Sequence, residues 1–448
     1  MADPSWVFHP FRAIHYRFEQ SSDLSDLISP PYDIISEQRQ AELYGRSDHN
    51  FVRVELTRSD ASTRYGEAAR TFRGWLADGA LVQEKAPAMY VLEQQFTAAG
   101  RSWRRRGVFG LVRLPDRDRS YVLCHEGTLA EPKADRLKLM RACGAMTSPV
   151  MLITEDESGR LMRLLENAGN PPDAHARESD GVVDRLWLVR GSAAAEAFSA
   201  AIGGGPLYIA DGHHRFETAL TYQDEMRALF PEAPPTAGFN HALVLISSAQ
   251  EAGLRIFPTH RLISGLDEPS MRALRQSMEQ HFEVDERPLS PSGEAVDLTW
   301  LDEPGPAAHV LGAYTGNAHL FRLIARPGAE PGGGVVDHLD VSILHRRLID
   351  PGLARVGAAP GQGRISHDSD AAGPATRGPR LTYTTDAAQA VAAVDRGDYD
   401  VAFFLRPTRV AEVIAAARAG QCMPGKSTYF YPKIPAGLVI SDASEEPI

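Results

Sequence analysis

Apolar and polar positions along this chain follow two rhythms, one of period two and one near 3.6 residues. Wholly apolar or alternating runs predict strands at AMYVLEQQF (88–96), GVFGLVRL (107–114), SPVMLIT (148–154), LWLVRG (186–191), PLYIA (206–210) and HALVLIS (241–247). The first two are joined at Ala99 and Gly100, a pair suited to a β-hairpin turn. Helical spacing runs through Tyr65, Ala68, Phe72, Trp75 and Leu76, from Glu131 to Arg141, through SAAAEAFSAAI (192–202), and through Phe216, Ala219 and Leu220. Near the start, ISPPYDIIS predicts a turn and a short helix with Ser36 as N-cap, and NFVRVEL (50–56) an alternating strand. Residues 155–180 read as a surface loop and helix.

The rhythm changes after about residue 266, where PLSPSGEAVD, RPGAEPGGGVVDH and RVGAAPGQGRISHDSDAAGPATRGPR separate shorter elements. This predicts two domains, 1–265 and 266–448, and a length of 448 residues fits more than one core. DVSILHRRLI (340–349) reads as an amphipathic helix whose Asp340 and His345 serve packing or a homodimer contact. From Leu381 to Gly420 the pattern is strand, helix, strand, helix, and no internal repeat is evident. The expected fold class is α+β, with mixed sheets and a second α/β C-terminal region contributing to the site.

The formal charge, 47 − 58 = −11, argues against a surface built for nucleic acid or anionic membranes. RSWRRRG (101–107) is the densest positive cluster and is expected in a solvated turn. Cys124, Cys143 and Cys422 have no metal-type spacing and read as free buried thiols in a reducing compartment. No apolar run reaches membrane-spanning length and the start shows no leader, so a cytoplasmic protein is expected.

IADGHHRFETAL (209–220) carries the densest chemistry. An apolar strand runs into Asp211, Gly212, His213, His214 and Arg215 and then into a helix, a position where unpaired N–H groups and the helix dipole favour an anion. Arg215 adds a fork suited to phosphate or carboxylate, the imidazoles donate or transfer protons, and Gly212 lets the backbone turn. Asp211 has two competing uses, capping the helix or holding Mg²⁺. A lone Asp-Gly or a lone His is by default a cap or a surface residue, but four functional groups in five residues favour a site. Zinc is the weaker reading, because adjacent histidines on a helix diverge and no i,i+4 partner is present; no metal ligand is assigned.

A second cluster lies in CHEGTLAEPKADRLKLM (124–140). His125 and Glu126 follow a strand, and Glu126 suits a general base or a metal ligand, whereas Lys133, Asp135 and Arg136 read equally as a solvated helix face. PTHRLI (258–263) sets Thr259, His260 and Arg261 among apolar residues, with packing and chemistry evenly balanced. GQCMPGKSTYF (420–430) satisfies the P-loop pattern, yet a helix precedes it where a P-loop needs a strand, and Gly420 is better read as the glycine ending that helix. Lys426, Ser427, Thr428 and Lys433 are expected to fold back toward the DGHHR turn and contact substrate or phosphate, Lys426 foremost; Arg261 is a further substrate-binding candidate.

ISPPYDIIS, HEGT with PKADR, IADGHHRFETAL, PTHRLI, DVSILH and MPGKSTYFYPKIPAGLVI together resemble the family known as domain of unknown function 1015, over nearly the whole chain. The strand–Asp-Gly-His-His-Arg–helix segment is similar to the nucleotide-binding segment of the superfamily uniting ParB partition proteins, sulfiredoxins and free-serine kinases. That resemblance implies a ParB/sulfiredoxin-like nucleotide-binding core in residues 1–265, with an N-terminal extension and insertions. It implies phosphate contacts from His213, His214 and Arg215, with Asp211 shaping the turn or a metal site. It also implies that Glu126, after His125, accepts the proton of a substrate hydroxyl, Cys124 standing where those kinases have proline. The expected cofactors are ATP or ADP with Mg²⁺, and the expected reaction is phosphoryl transfer to free serine. A phosphoserine phosphatase-like hydrolase and a ParB-like nucleotide-dependent switch are the alternatives.

Overall fold

A computed structural model describes residues 8–18, 22–60, 62–115, 121–128, 130–169, 171–288, 296–303, 305, 308–355 and 380–448. Most of PLSPSGEAVD and of the stretch from Arg355 to Arg380 lies outside the described residues. The chain divides into two compact units: one of Met1–Cys124, Thr128–Arg255 and Phe430–Ile448, the other of His125–Gly127 and Ile256–Tyr429. Both are mixtures of helix and sheet, so the protein is α+β.

The first unit is built on a ten-stranded sheet. Its strands include β1 (Ala88–Ala98), β2 (Arg101–Arg113), β3 (Val150–Thr154), β4 (Val183–Arg190) and β5 (Leu207–Asp211), which leads into helix α1 (His213–Leu229), and β6 (His241–Ser248). Across the sheet these run β4–β1–β2–β6–β3–β5, antiparallel except for the parallel pair β6–β3. Every residue of β6 is buried, as its unbroken apolar run requires of a central strand. Ala99 and Gly100, both at positive φ (49° and 71°), make the tight β1–β2 turn.

Three expectations for this unit are corrected. NFVRVEL is not a strand: Val52–Glu55 is a short helix, with the Asn50 side chain accepting from the Val52 N–H (3.0 Å). Alternation misled because the carboxylate of Glu55 points inward, where Arg136, Thr147 and Ser148 satisfy it. RSWRRRG is not a turn but the first half of β2, and Arg105 within it is fully buried. Nor is PKADR simply a solvated face, since buried Arg136 pairs with Glu55 and Asp135 and lies 3.9 Å over the Tyr32 ring. Ser36 does cap its helix, accepting from Arg39 N–H at 3.1 Å.

The second unit has a six-stranded antiparallel sheet of β7 (His260–Ser264), β8 (Phe282–Pro288), β9 (Val310–Tyr314), β10 (His319–Ala325), β11 (Arg380–Thr384) and β12 (Val401–Phe404), ordered β8–β10–β9–β12–β7–β11. Leu262, Trp300, Val310, Tyr314 and Phe404 form its core with the helix Ala387–Asp395. Helix α2 (Val410–Arg418) ends as expected: Gly420 has φ 62°, its N–H bonds Ala417 C=O, and the Gln421 N–H bonds Ala416 C=O. DVSILHRRLI is helical, Asp340–Leu344 running into a π-turn at His345–Ile349, with its apolar residues and His345 buried and Arg346 exposed. Of the three cysteines, all free, Cys124 and Cys422 are exposed rather than buried. Among the described residues no helix is long and apolar enough to cross a membrane.

Candidate functional site

β5 delivers Asp211 to the end of the first unit's sheet, and Gly212, at φ 93°, turns the chain into α1. A Cβ at Gly212 would lie 3.0 Å from the Arg215 guanidinium, so both conformation and space call for glycine. No side chain caps α1, and Asp211 is therefore not its N-cap. The Asp211 carboxylate instead takes one cation on each oxygen: Lys433 on Oδ1 and Arg215 on Oδ2. Arg215 also donates to the Pro149 carbonyl, so its fork is engaged by the turn itself. His213 is buried, and desolvation pushes its pKa down to about 4 against the opposing pull of Asp211, keeping the imidazole neutral. His214 is half-buried.

Lys433 is the residue of this turn that sequence reasoning placed only loosely. It is held from behind: Gln94 Nε2 donates to the Lys433 carbonyl (3.0 Å) and Arg105 to that of Pro432 (2.6 Å), while Gln94 also reaches Asp184 (2.9 Å). The buried Arg105, its pKa drawn down to about 10 by desolvation, thus fixes the segment that carries the cation. The signal in the sequence was YPKIPAG, two prolines flanking one lysine. On α1 one turn further along, Glu217 accepts from Thr128 (2.6 Å) and Lys133 (2.7 Å), which ties the PKADR segment to the same helix.

In the second unit, the loop Gln421–Thr428 closes on His125 and Glu126. The Met423 N–H bonds the His125 carbonyl (2.8 Å), the Lys426 N–H bonds Glu126 Oε1 (2.9 Å), and the His125 ring contacts Thr428 Oγ1 (3.2 Å). Lys426 has φ 58°, and its carbonyl accepts from Arg261 Nη2 (3.0 Å). Arg261 is fully buried; desolvation lowers its pKa to about 10, and its Nε has no partner among the described residues. Ser427 is buried, its hydroxyl on Pro424 C=O and its carbonyl on Thr408 Oγ1 (2.8 Å). Arg261, Thr259 and Ser427 line a cavity of about 380 Å³, joined by Arg406 and Arg409. The Gly-Lys-Ser turn opens no helix, and the P-loop match is accidental, as expected.

A profile of the family described as protein of unknown function (DUF1015) matches residues 8–342. The chain belongs to that family. No curated protein matches it. Solved structures with some likeness include a conserved hypothetical protein from Pyrococcus furiosus, at 14% identity and TM-score 0.36 over 75% of this chain and 94% of that one. A free serine kinase in complex with AMP follows at 13% identity and TM-score 0.36, over 74% and 92%. C-terminally truncated SbnI from Staphylococcus aureus has 11% identity and TM-score 0.32, over 73% and 84%. At such values the likeness carries no argument about this family member's fold or activity, which rest on its own residues.

Proposed function

We propose that this protein is a phosphotransferase that moves a phosphoryl group between a nucleotide and the hydroxyl of a small metabolite, free serine being the favoured acceptor. The observation that carries the reading is the β5–α1 turn: an uncapped helix N-terminus after a left-handed glycine, flanked by His213 and His214 and backed by the Lys433–Asp211–Arg215 chain. The amides of His213, His214 and Arg215 suit nucleotide phosphates, with the two buried cations adding positive potential behind them. ATP or ADP fits this donor set. Mg²⁺ does not fit at Asp211, where Lys433 and Arg215 take one oxygen each, and no step is assigned to a metal.

Glu126 is the residue suited to accept the hydroxyl proton. One of its oxygens is held by the Lys426 N–H, and the other makes no hydrogen bond among the described residues. Phosphoryl transfer asks a protein mainly for positioning and charge, which backbone amides, imidazoles and a single base supply.

Phosphorus NMR on the purified protein with ATP or ADP, Mg²⁺ and free serine or phosphoserine tests this reading. Transfer in either direction is expected. Tight nucleotide binding with no transfer overturns it in favour of a nucleotide-dependent switch. Glu126→Gln keeps an acceptor for the Lys426 N–H, so nucleotide affinity is expected to stay and kcat to fall about 10²- to 10⁴-fold.

A further inference from the structure

The second unit brings His309, Glu330 and His338 together from three stretches of chain. His309 precedes β9, and its carbonyl accepts from the Ala325 N–H (2.9 Å). Glu330 sits in the RPGAEPGGG turn, where Arg347 grips the Ala329 (2.7 Å) and Glu330 (3.1 Å) carbonyls. His338 ends the short helical turn Val336–His338, which Gln421 holds by accepting the Val336 N–H (3.1 Å). One ligand atom from each of the three lies within 4.8 Å of the others.

We propose that His309, Glu330 and His338 form a binding site for a divalent first-row transition ion of the zinc class. The donor set is two imidazoles and one carboxylate, which suits zinc and its neighbours and not magnesium or calcium, whose sites are built from oxygen. Ligands of a tetrahedral zinc ion stand roughly 3.4 Å apart, so small side-chain rotations close the observed cluster. His309 is already oriented for the task. Its Nδ1 donates to Asp340 (2.9 Å), leaving Nε2, 3.9 Å from Glu330 Oε1, as the ligand nitrogen. Asp340 is in turn held by Arg406 through Nε and Nη2 (3.0 and 2.9 Å). A carboxylate behind a ligating histidine is the usual supporting arrangement, and it makes Asp340 a positioning residue.

A competing account is a plain ion pair, with protonated His309 between Asp340 and Glu330. That account gives His338 no role, whereas the metal site uses it. Both histidines line the 380 Å³ cavity, so an ion there keeps a coordination position open to an oxygen ligand in that space, the three-ligand form of zinc sites that act on small molecules. This inference does not depend on phosphoryl transfer.

The test uses the full chain, stripped with chelator and titrated with Zn²⁺ against a chromophoric competitor, then with Co²⁺ to read ligand-field bands. One ion per chain is expected, with Tm raised by Zn²⁺. His338→Ala, an exposed position whose loss leaves the fold intact, is expected to weaken Zn²⁺ binding more than about 100-fold by removing one of three ligands and to abolish the Tm shift. Asp340→Asn should weaken it about 10- to 100-fold. Zinc that binds substoichiometrically, or equally well without His338, overturns the site and leaves the ion pair.

Discussion

Asp211 stands between two cations that are each about nine-tenths buried, and its own removal shows what they need. In Asp211→Asn, Lys433 and Arg215 lose the carboxylate they share, so its contribution to offsetting their desolvation is removed. Asp211 is itself 21% exposed, which puts the expected loss at the lower end for a broken buried pair, about 3 kcal/mol. Added phosphate or sulfate should restore more of the melting temperature in this variant than in the parent, because an anion at the α1 N-terminus then supplies negative charge that Asp211 no longer does. Denaturant melts with and without phosphate decide it, and equal anion effects in the two proteins would count against an anion site here. Gly212→Ala is the matched backbone test: φ of 93° and the guanidinium 3.0 Å from the new Cβ together should cost about 1–2 kcal/mol.

Among elements, the loop after α2 separates a motif from its mechanism. In a P-loop the second glycine lets the backbone amides approach the phosphates, so a side chain there should weaken binding. Here Gly425 has open space where a methyl group would sit and no positive φ, so Gly425→Ala should leave nucleotide affinity within about twofold and stability within about 0.5 kcal/mol. Isothermal titration with ATP and ADP checks this, and loss of binding would restore the P-loop. Gly420→Ala should cost about 1 kcal/mol, since it breaks the left-handed helix stop at φ 62°. The same contrast explains what was legible in the sequence. Strands with unbroken apolar runs, such as β6, and chemistry confined to consecutive residues, such as Asp211–Arg215, announce themselves locally. Arg105, Arg136 and Glu55 did not, because a charged residue enters the interior only when a partner far along the chain satisfies it. Lys433 was half visible for that reason: its neighbours mark a turn, but its pairing with Asp211 spans 222 positions.

Over the whole molecule, buried titratable groups set how stability responds to pH, and two sets oppose each other. Burial lowers His213, His241 and His260 to about 4. Their unfolded value is about 6.5, so the unfolded chain takes up protons first, and the stability they provide above 6.5 is lost as pH falls toward 4. Asp184 works the other way. Burial raises it from 3.8 to about 7, with Glu178 beside it also raised, so the folded protein keeps a proton that the unfolded chain sheds, and stability is lost as pH rises from about 4 to 7. The parent should therefore lose less stability toward acid than the three histidines alone would cause. Asp184→Asn mimics the protonated carboxyl and retains an acceptor for Gln94, so it removes one opposing slope. Its stability should match the parent near pH 4 and exceed it by a few kcal/mol, in order of magnitude, above pH 7. Denaturant unfolding at unit steps from pH 4 to 8 reads the difference. Parallel profiles for the two proteins would mean that Asp184 is ionised in the fold and that the positive charge of Arg105, which pulls its pKa down, outweighs burial.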